Sequence, residues 1–128
     1  MTELIVIALL GAAGSLSRYH LGGYVHIKTR NHSLPSERSF PAGTLLVNVV
    51  GSFILGLVTG LGLSGTLPAL LVVAFGAGFC GAFTTFSTWA FDLQSALRRG
   101  CWLAFLSNLI LPILLGAAAA WAGFVLGN

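Results

Sequence analysis

A chain of 128 residues that is 56% hydrophobic and only 7% charged cannot clothe a soluble core, because an ordinary soluble domain carries about 25% charged residues. Six Lys and Arg stand against three Asp and Glu, and the mean hydropathy is +0.94, so the outer solvent is lipid and no nucleic-acid partner is expected. The reading is a single all-α membrane domain of four transmembrane helices with almost nothing outside the bilayer.

A helix needs about 20 apolar residues to cross a hydrocarbon core of about 30 Å. The first such run is Leu4 to Val25. Ala12-Ala13-Gly14 mimics a signal-peptide cleavage site, but the residues before the run hold Glu3 and no Lys or Arg, so a retained span is expected. Its polar outlier is Arg18, about seven residues and roughly 10 Å from the predicted cytoplasmic end. That arginine either snorkels to the interface or sets a positive potential at the mouth of an anion pathway. The connection from Lys28 to Pro41 is polar and contains Pro35, as a surface loop would.

The second run, Ala42 to Leu63, places Thr44, Asn48 and Ser52 on one face that continues as Gly56 and Gly60. The small residues suit close helix packing. Asn48, near the middle of the span, must find a partner or line a wet cavity. Ser64, Gly65, Thr66 and Pro68 then make a tight turn.

The third run, Leu67 to Phe91, contains Gly76-Ala-Gly-Phe-Cys-Gly-Ala-Phe-Thr-Thr-Phe-Ser-Thr-Trp89. Glycines followed by hydroxyl residues make a poor helix centre, and helices broken at membrane depth commonly mark ion sites. A break around Gly81 to Thr85 would free carbonyls suited to a small hard cation such as Na⁺. The alternative is an intact helix whose hydroxyls bond the preceding turn. On an unbroken helix Phe75, Phe79, Phe83 and Phe86 form a stripe, with Thr84, Ser87 and Thr88 roughly opposite. Ring edges are positive, so rings presented edge-on beside hydroxyl and amide donors suit a small, strongly hydrated anion.

The fourth run, Gly100 to Leu126, follows a short Asp92 to Arg99 connection read as a helical extension. It carries Ser107, Asn108 and a kinking Pro112, then Gly116, Ala120, Gly123 and Gly127 on small-residue faces. Cys80 and Cys101 lack metal or redox spacing and read as small apolar residues. His20, His26 and His32 cluster near one interface, with pH sensing as a lesser possibility beside a plain interfacial role. Outside the spans, Lys28, Arg30, Arg38, Arg98 and Arg99 all fall on the side of the first and third connections. Positive charge stays in the cytoplasm, which puts both termini outside a cell membrane crossed in one fixed orientation.

Gly14-Ser-Leu-Ser-Arg18, Pro41-Ala-Gly-Thr44 with Asn48 and Gly51, and above all Gly81-Ala-Phe-Thr-Thr-Phe-Ser-Thr88 resemble the Fluc (CrcB) family of fluoride channels, and the likeness runs over essentially the whole chain. The resemblance implies subunits packed as an antiparallel, dual-topology dimer, with the third helix broken mid-membrane and cytoplasmic fluoride leaving passively through narrow pores. It also implies a structural Na⁺ at the dimer interface, held by the Gly81 and Thr84 carbonyls. The pore residues would be Phe86 and Asn48, joined by Phe83, Ser87, Thr88 and Trp89, with Arg18 near an entrance. The chain departs from the family pattern at Trp89 (usually phenylalanine), Asn108 (usually tyrosine) and Pro112 (usually serine), which leaves the fourth-helix polar track open. Because one sequence must insert both ways to form a homodimer, the one-sided Lys and Arg distribution favours a heterodimer with a second Fluc subunit of opposite orientation. A non-conducting or single-pore subunit is one alternative. A small proton-coupled exporter is another, but it needs an intramembrane carboxylate, and Glu3, Glu37 and Asp92 lie at span ends or in a loop. No catalytic set converges in the spans, so the chain reads as a non-enzyme.

Overall fold

The computed structural model describes residues 1–29 and 41–128; the loop readings that involve Arg30, His32, Pro35, Glu37 and Arg38 lie outside the described residues. Helix α1 covers Thr2–Thr29 and α2 covers Ala42–Leu63. The third span is composite. Its first arm, α3, joins an α-helical stretch, Ala69–Val73, a π-helical stretch, Ala74–Cys80, and one further turn, Gly81–Phe83. Its second arm, α4, is Phe86–Arg98, and α5 is Trp102–Gly127. Four stretches, Thr2–Lys28, Ala42–Leu63, Ala69–Arg98 and Trp102–Gly127, are long and apolar enough to cross a membrane. The multi-pass all-helical reading therefore holds.

Several boundaries move for identifiable reasons. Helix α1 continues beyond Val25 because His26 and Lys28 sit in its last turn, where positive charge meets the negative end of the helix dipole. The third span begins at Ala69 rather than Leu67, since Pro68 is extended (φ −59°, ψ 145°) and the Leu67 N–H donates back to the Leu61 carbonyl at 2.9 Å. Asp92 to Arg98 continues α4 as expected. Gly100 ends it at φ +67°, with its own N–H on the Leu97 carbonyl and the Cys101 N–H on the Ala96 carbonyl, the paired bonds of a Schellman stop.

Lipid tails are as apolar as leucine, so helix association here rests on close van der Waals contact rather than on hydrophobic transfer. The most extensive helix pair is α2 with α5. A Cβ on Gly56 would strike the Ala120 carbonyl, and one on Gly123 would strike the Phe53 carbonyl, so the two backbones touch directly. The small-residue faces on both helices are each other's partners. Helix α1 lies on the π-helical stretch of α3 in the same manner: a Cβ on Gly78 would come within 2.8 Å of the Ile7 carbonyl.

The chain brings the C-terminal ends of α1 and α4 and the N-terminal ends of α2 and α5 to one end of the bundle, around a shared cavity. At the other end the Ser64 hydroxyl donates to the Gly127 carbonyl at 3.2 Å, tying the second connection to the C-terminus.

Candidate functional site

The break in the third span falls at Thr84 (φ −81°, ψ 161°) and Thr85 (φ −143°, ψ 117°), both extended. A helix that opens at membrane depth must find new partners for its backbone, and three side chains supply them here. Asn48 of α2 faces the Thr85 peptide like a neighbouring strand: Oδ1 accepts from the Thr85 N–H at 2.8 Å and Nδ2 donates to the Thr85 carbonyl at 3.1 Å. Arg18 of α1 donates from Nη1 to the Thr84 carbonyl at 3.2 Å. Thr85 also caps α4, its Oγ1 accepting from the Thr88 N–H at 3.2 Å, the usual role of a threonine in extended conformation before a helix.

Two consequences concern the predicted cation ligands. The Thr85 N–H, which in a continuous helix would bond the Gly81 carbonyl, goes to Asn48 instead. Gly81 is exposed and loses that donor, while the Thr84 carbonyl has one of its two lone pairs occupied by Arg18. These are hard oxygen donors at the open C-terminal end of a helical arm, chemistry that suits a small cation.

The predicted pore residues separate into two places. Phe83 is 3% exposed and stacks on Phe79 with centroids 5.4 Å apart, so it belongs to the subunit's interior. Phe86 is 74% exposed and meets Trp89 edge to face at 5.5 Å. The single phenylalanine stripe of an unbroken helix is thus corrected: the extended residues at the break turn Phe86 away from Phe75, Phe79 and Phe83. Phe86, Trp89, Asn48, Gly81 and Thr84 line an open groove of about 320 Å³. Ser87 and Thr88 are exposed on the first turn of α4. The Thr85 hydroxyl donates to Thr88 Oγ1 at 3.0 Å, which leaves the Thr88 proton for another acceptor.

A larger cavity of about 1460 Å³ occupies the basic end of the bundle, lined by Arg18, Thr88, Asp92, Arg98, Arg99 and Asn108 among others. Arg18 therefore does not snorkel outward; it lies along this cavity and ends on the break. Asn108 is 3% exposed and borders the same space. Asp92, half-buried, accepts from the Thr44 hydroxyl at 3.2 Å. The indole N–H of Trp89 is engaged away from the groove, on the Asn108 carbonyl at 2.8 Å.

Thr85 was the residue missed from sequence. It is 9% exposed and lines both the groove and the large cavity, so it stands between the two spaces. The available signal was the hydroxyl pair Thr85 and Thr88, three residues apart, before an apolar turn, a helix-start pattern inside an apolar run.

Comparison with known proteins gives the chain its relatives. A family model described as "CrcB-like protein, Camphor Resistance (CrcB)" matches residues 5–124. The chain is 46% identical over 124 residues to "Fluoride-specific ion channel FluC 1" of Symbiobacterium thermophilum, covering 96% of this chain and 95% of that protein. It is 36% identical over 129 residues to "Fluoride-specific ion channel FluC" of Citrifermentans bemidjiense (100% and 98% covered), and 38% identical over 125 residues to the protein of the same name from Thermococcus onnurineus (97% and 94% covered).

Proposed function

This chain belongs to the CrcB-like family, and from that premise we propose how it works as a fluoride-specific ion channel and not an enzyme. The observation that carries the reading is that the basic cavity and the Phe86–Trp89 groove lie on either side of one residue, Thr85, which lines both. An anion drawn into the cavity by Arg18, Arg98 and Arg99 would reach the free proton of Thr88 and then the ring edges of Phe86 and Trp89. Hydroxyl protons, ring edges and the second N–H of Asn48 can replace water stepwise without a full charge that would trap the ion. Arg18 gives one of its five N–H donors to the Thr84 carbonyl, which fixes its charge beside the break.

The working unit we propose is an antiparallel dimer, with the groove face and its exposed Phe86 against a second subunit. A structural Na⁺ at that interface would be held by the Gly81 carbonyl and the remaining lone pair of the Thr84 carbonyl, and the partner would double the donor set. Support comes from the Gly81 carbonyl's lost helical donor and its exposure. The bound ion would neutralise carbonyl dipoles facing each other across the interface. The partner is a subunit of opposite Lys and Arg bias, because the order of the spans along the sequence assigns Lys28, Arg30, Arg38, Arg98 and Arg99 to one side of the membrane. That bias places both termini outside a cell membrane.

Fluoride efflux from liposomes, followed with an ion-selective electrode, tests the pore. Phe86→Ile should lower flux at least tenfold, and native flux in that variant would remove Phe86 from the path. Exchanging Na⁺ for a much larger cation during purification and assay should also suppress flux; indifference to the cation would remove the proposed site.

A further inference from the structure

Trp89 and Pro112 both bear on one backbone acceptor, the Asn108 carbonyl. In a helix the N–H of residue 112 would bond the carbonyl of residue 108. Pro112 sits inside α5 and has no N–H, and a proline ring crowds the carbonyl four residues earlier. That carbonyl belongs to Asn108, a residue only 3% exposed, so its lost helical donor has to be replaced from within the protein. The Trp89 indole N–H, reaching from α4, donates to it at 2.8 Å. A phenylalanine at position 89 has no donor with which to do this.

We infer that Pro112 and Trp89 form one positioning device: the proline exposes a backbone acceptor, and the indole occupying it pins the ring of the groove's second aromatic. The pinned ring keeps its edge-to-face contact with Phe86, 5.5 Å between centroids at 69°. Pro112 acts on the path through Trp89 and touches no ion. The indole N–H is consumed by the protein, so Trp89 offers the ion a ring edge only, as a phenylalanine would. In this way a larger side chain takes the place of a smaller one in the groove without adding a strong donor.

The consequence for flux rests on the fluoride-channel reading; the hydrogen bond itself does not. Pro112→Ala restores the backbone donor to the Asn108 carbonyl, which then divides its two lone pairs between that N–H and the indole and loosens the indole's hold. It should keep the melting temperature within about 2 °C of native, shift the Trp89 indole ¹⁵N–¹H resonance, and slow fluoride efflux severalfold because the ring is held less firmly. Trp89→Phe strands the Asn108 carbonyl and should lower the melting temperature by roughly 5 °C. Adding Pro112→Ala to Trp89→Phe should recover that loss, since the restored backbone N–H then satisfies the Asn108 carbonyl. An indole resonance unmoved by Pro112→Ala, or equal losses in Trp89→Phe and the double variant, would overturn the device. If Trp89→Phe fails to fold, the resonance and efflux of Pro112→Ala still decide. Absence of fluoride efflux from the native protein, both alone and together with a family member of opposite charge bias, would count against the channel reading only, because the resonance and melting data test the hydrogen bond independently.

Discussion

Thr85 and Asn48 show why single side chains matter so much in a span this poor in polar groups. The Asn48 amide replaces two backbone partners at once, at a depth where lipid offers none. Asn48→Asp sets a carboxylate oxygen against the Thr85 carbonyl. The expected outcome is a loss of about 1–3 kcal/mol in thermal stability and abolished efflux, because a fixed negative charge then stands on the anion's path. A variant with native melting temperature and efflux would contradict the geometry. Thr85→Val keeps the shape and removes the cap, so it should cost about 1 kcal/mol and reduce flux, whereas Thr85→Ser should retain both; circular-dichroism melts and efflux assays read the two. Asn48 was legible in the sequence because a mid-span amide demands a partner. Thr85 was not, since its importance comes from a backbone turned extended, and the hydroxyl cluster alone does not say which member occupies the turn. Nor was the fate of the Trp89 N–H legible, because its acceptor lies on another helix.

At the scale of elements, the packing pattern was readable and the break only approximately so. Gly56 and Gly60 on α2, and Gly123 and Gly127 on α5, announce a close contact by their spacing, and the helices meet there. The discontinuity was expected around Gly81 to Thr85, and it falls at the last two residues of that window. Glycine permits a helix to open, but the partners fix where: Gly76 and Gly78 lie within π-helical turns held against α1, while Thr84 and Thr85 face Arg18 and Asn48. The phenylalanine stripe failed for the same reason, since helical periodicity does not carry across extended residues. Gly123→Ala drives a methyl into the Phe53 carbonyl. It should cost about 1–3 kcal/mol and appear as a lower melting temperature with aggregation in size-exclusion profiles. An unchanged profile would mean that α2 and α5 can separate freely.

The molecule as a whole has one basic end. Arg98 and Arg99 close one end of the bundle, and the Ser64–Gly127 contact closes the other. Four spans and a one-sided charge distribution predict that Asn128→Cys in whole cells reacts with a membrane-impermeant maleimide, while Arg99→Cys reacts only after permeabilisation. Labelling of both cysteines from outside would show that the chain inserts both ways and needs no partner of opposite bias. The four helices and their order were legible from hydropathy; the dimer was not, because a lipid-facing surface and a subunit-facing surface are both apolar. The most direct measurement is therefore fluoride efflux from liposomes that contain this chain, alone and together with a family member of opposite charge bias. The account predicts passive fluoride efflux in the mixed vesicles, with no matching chloride efflux. Absence of fluoride efflux in both preparations, or equal passage of chloride, would contradict it.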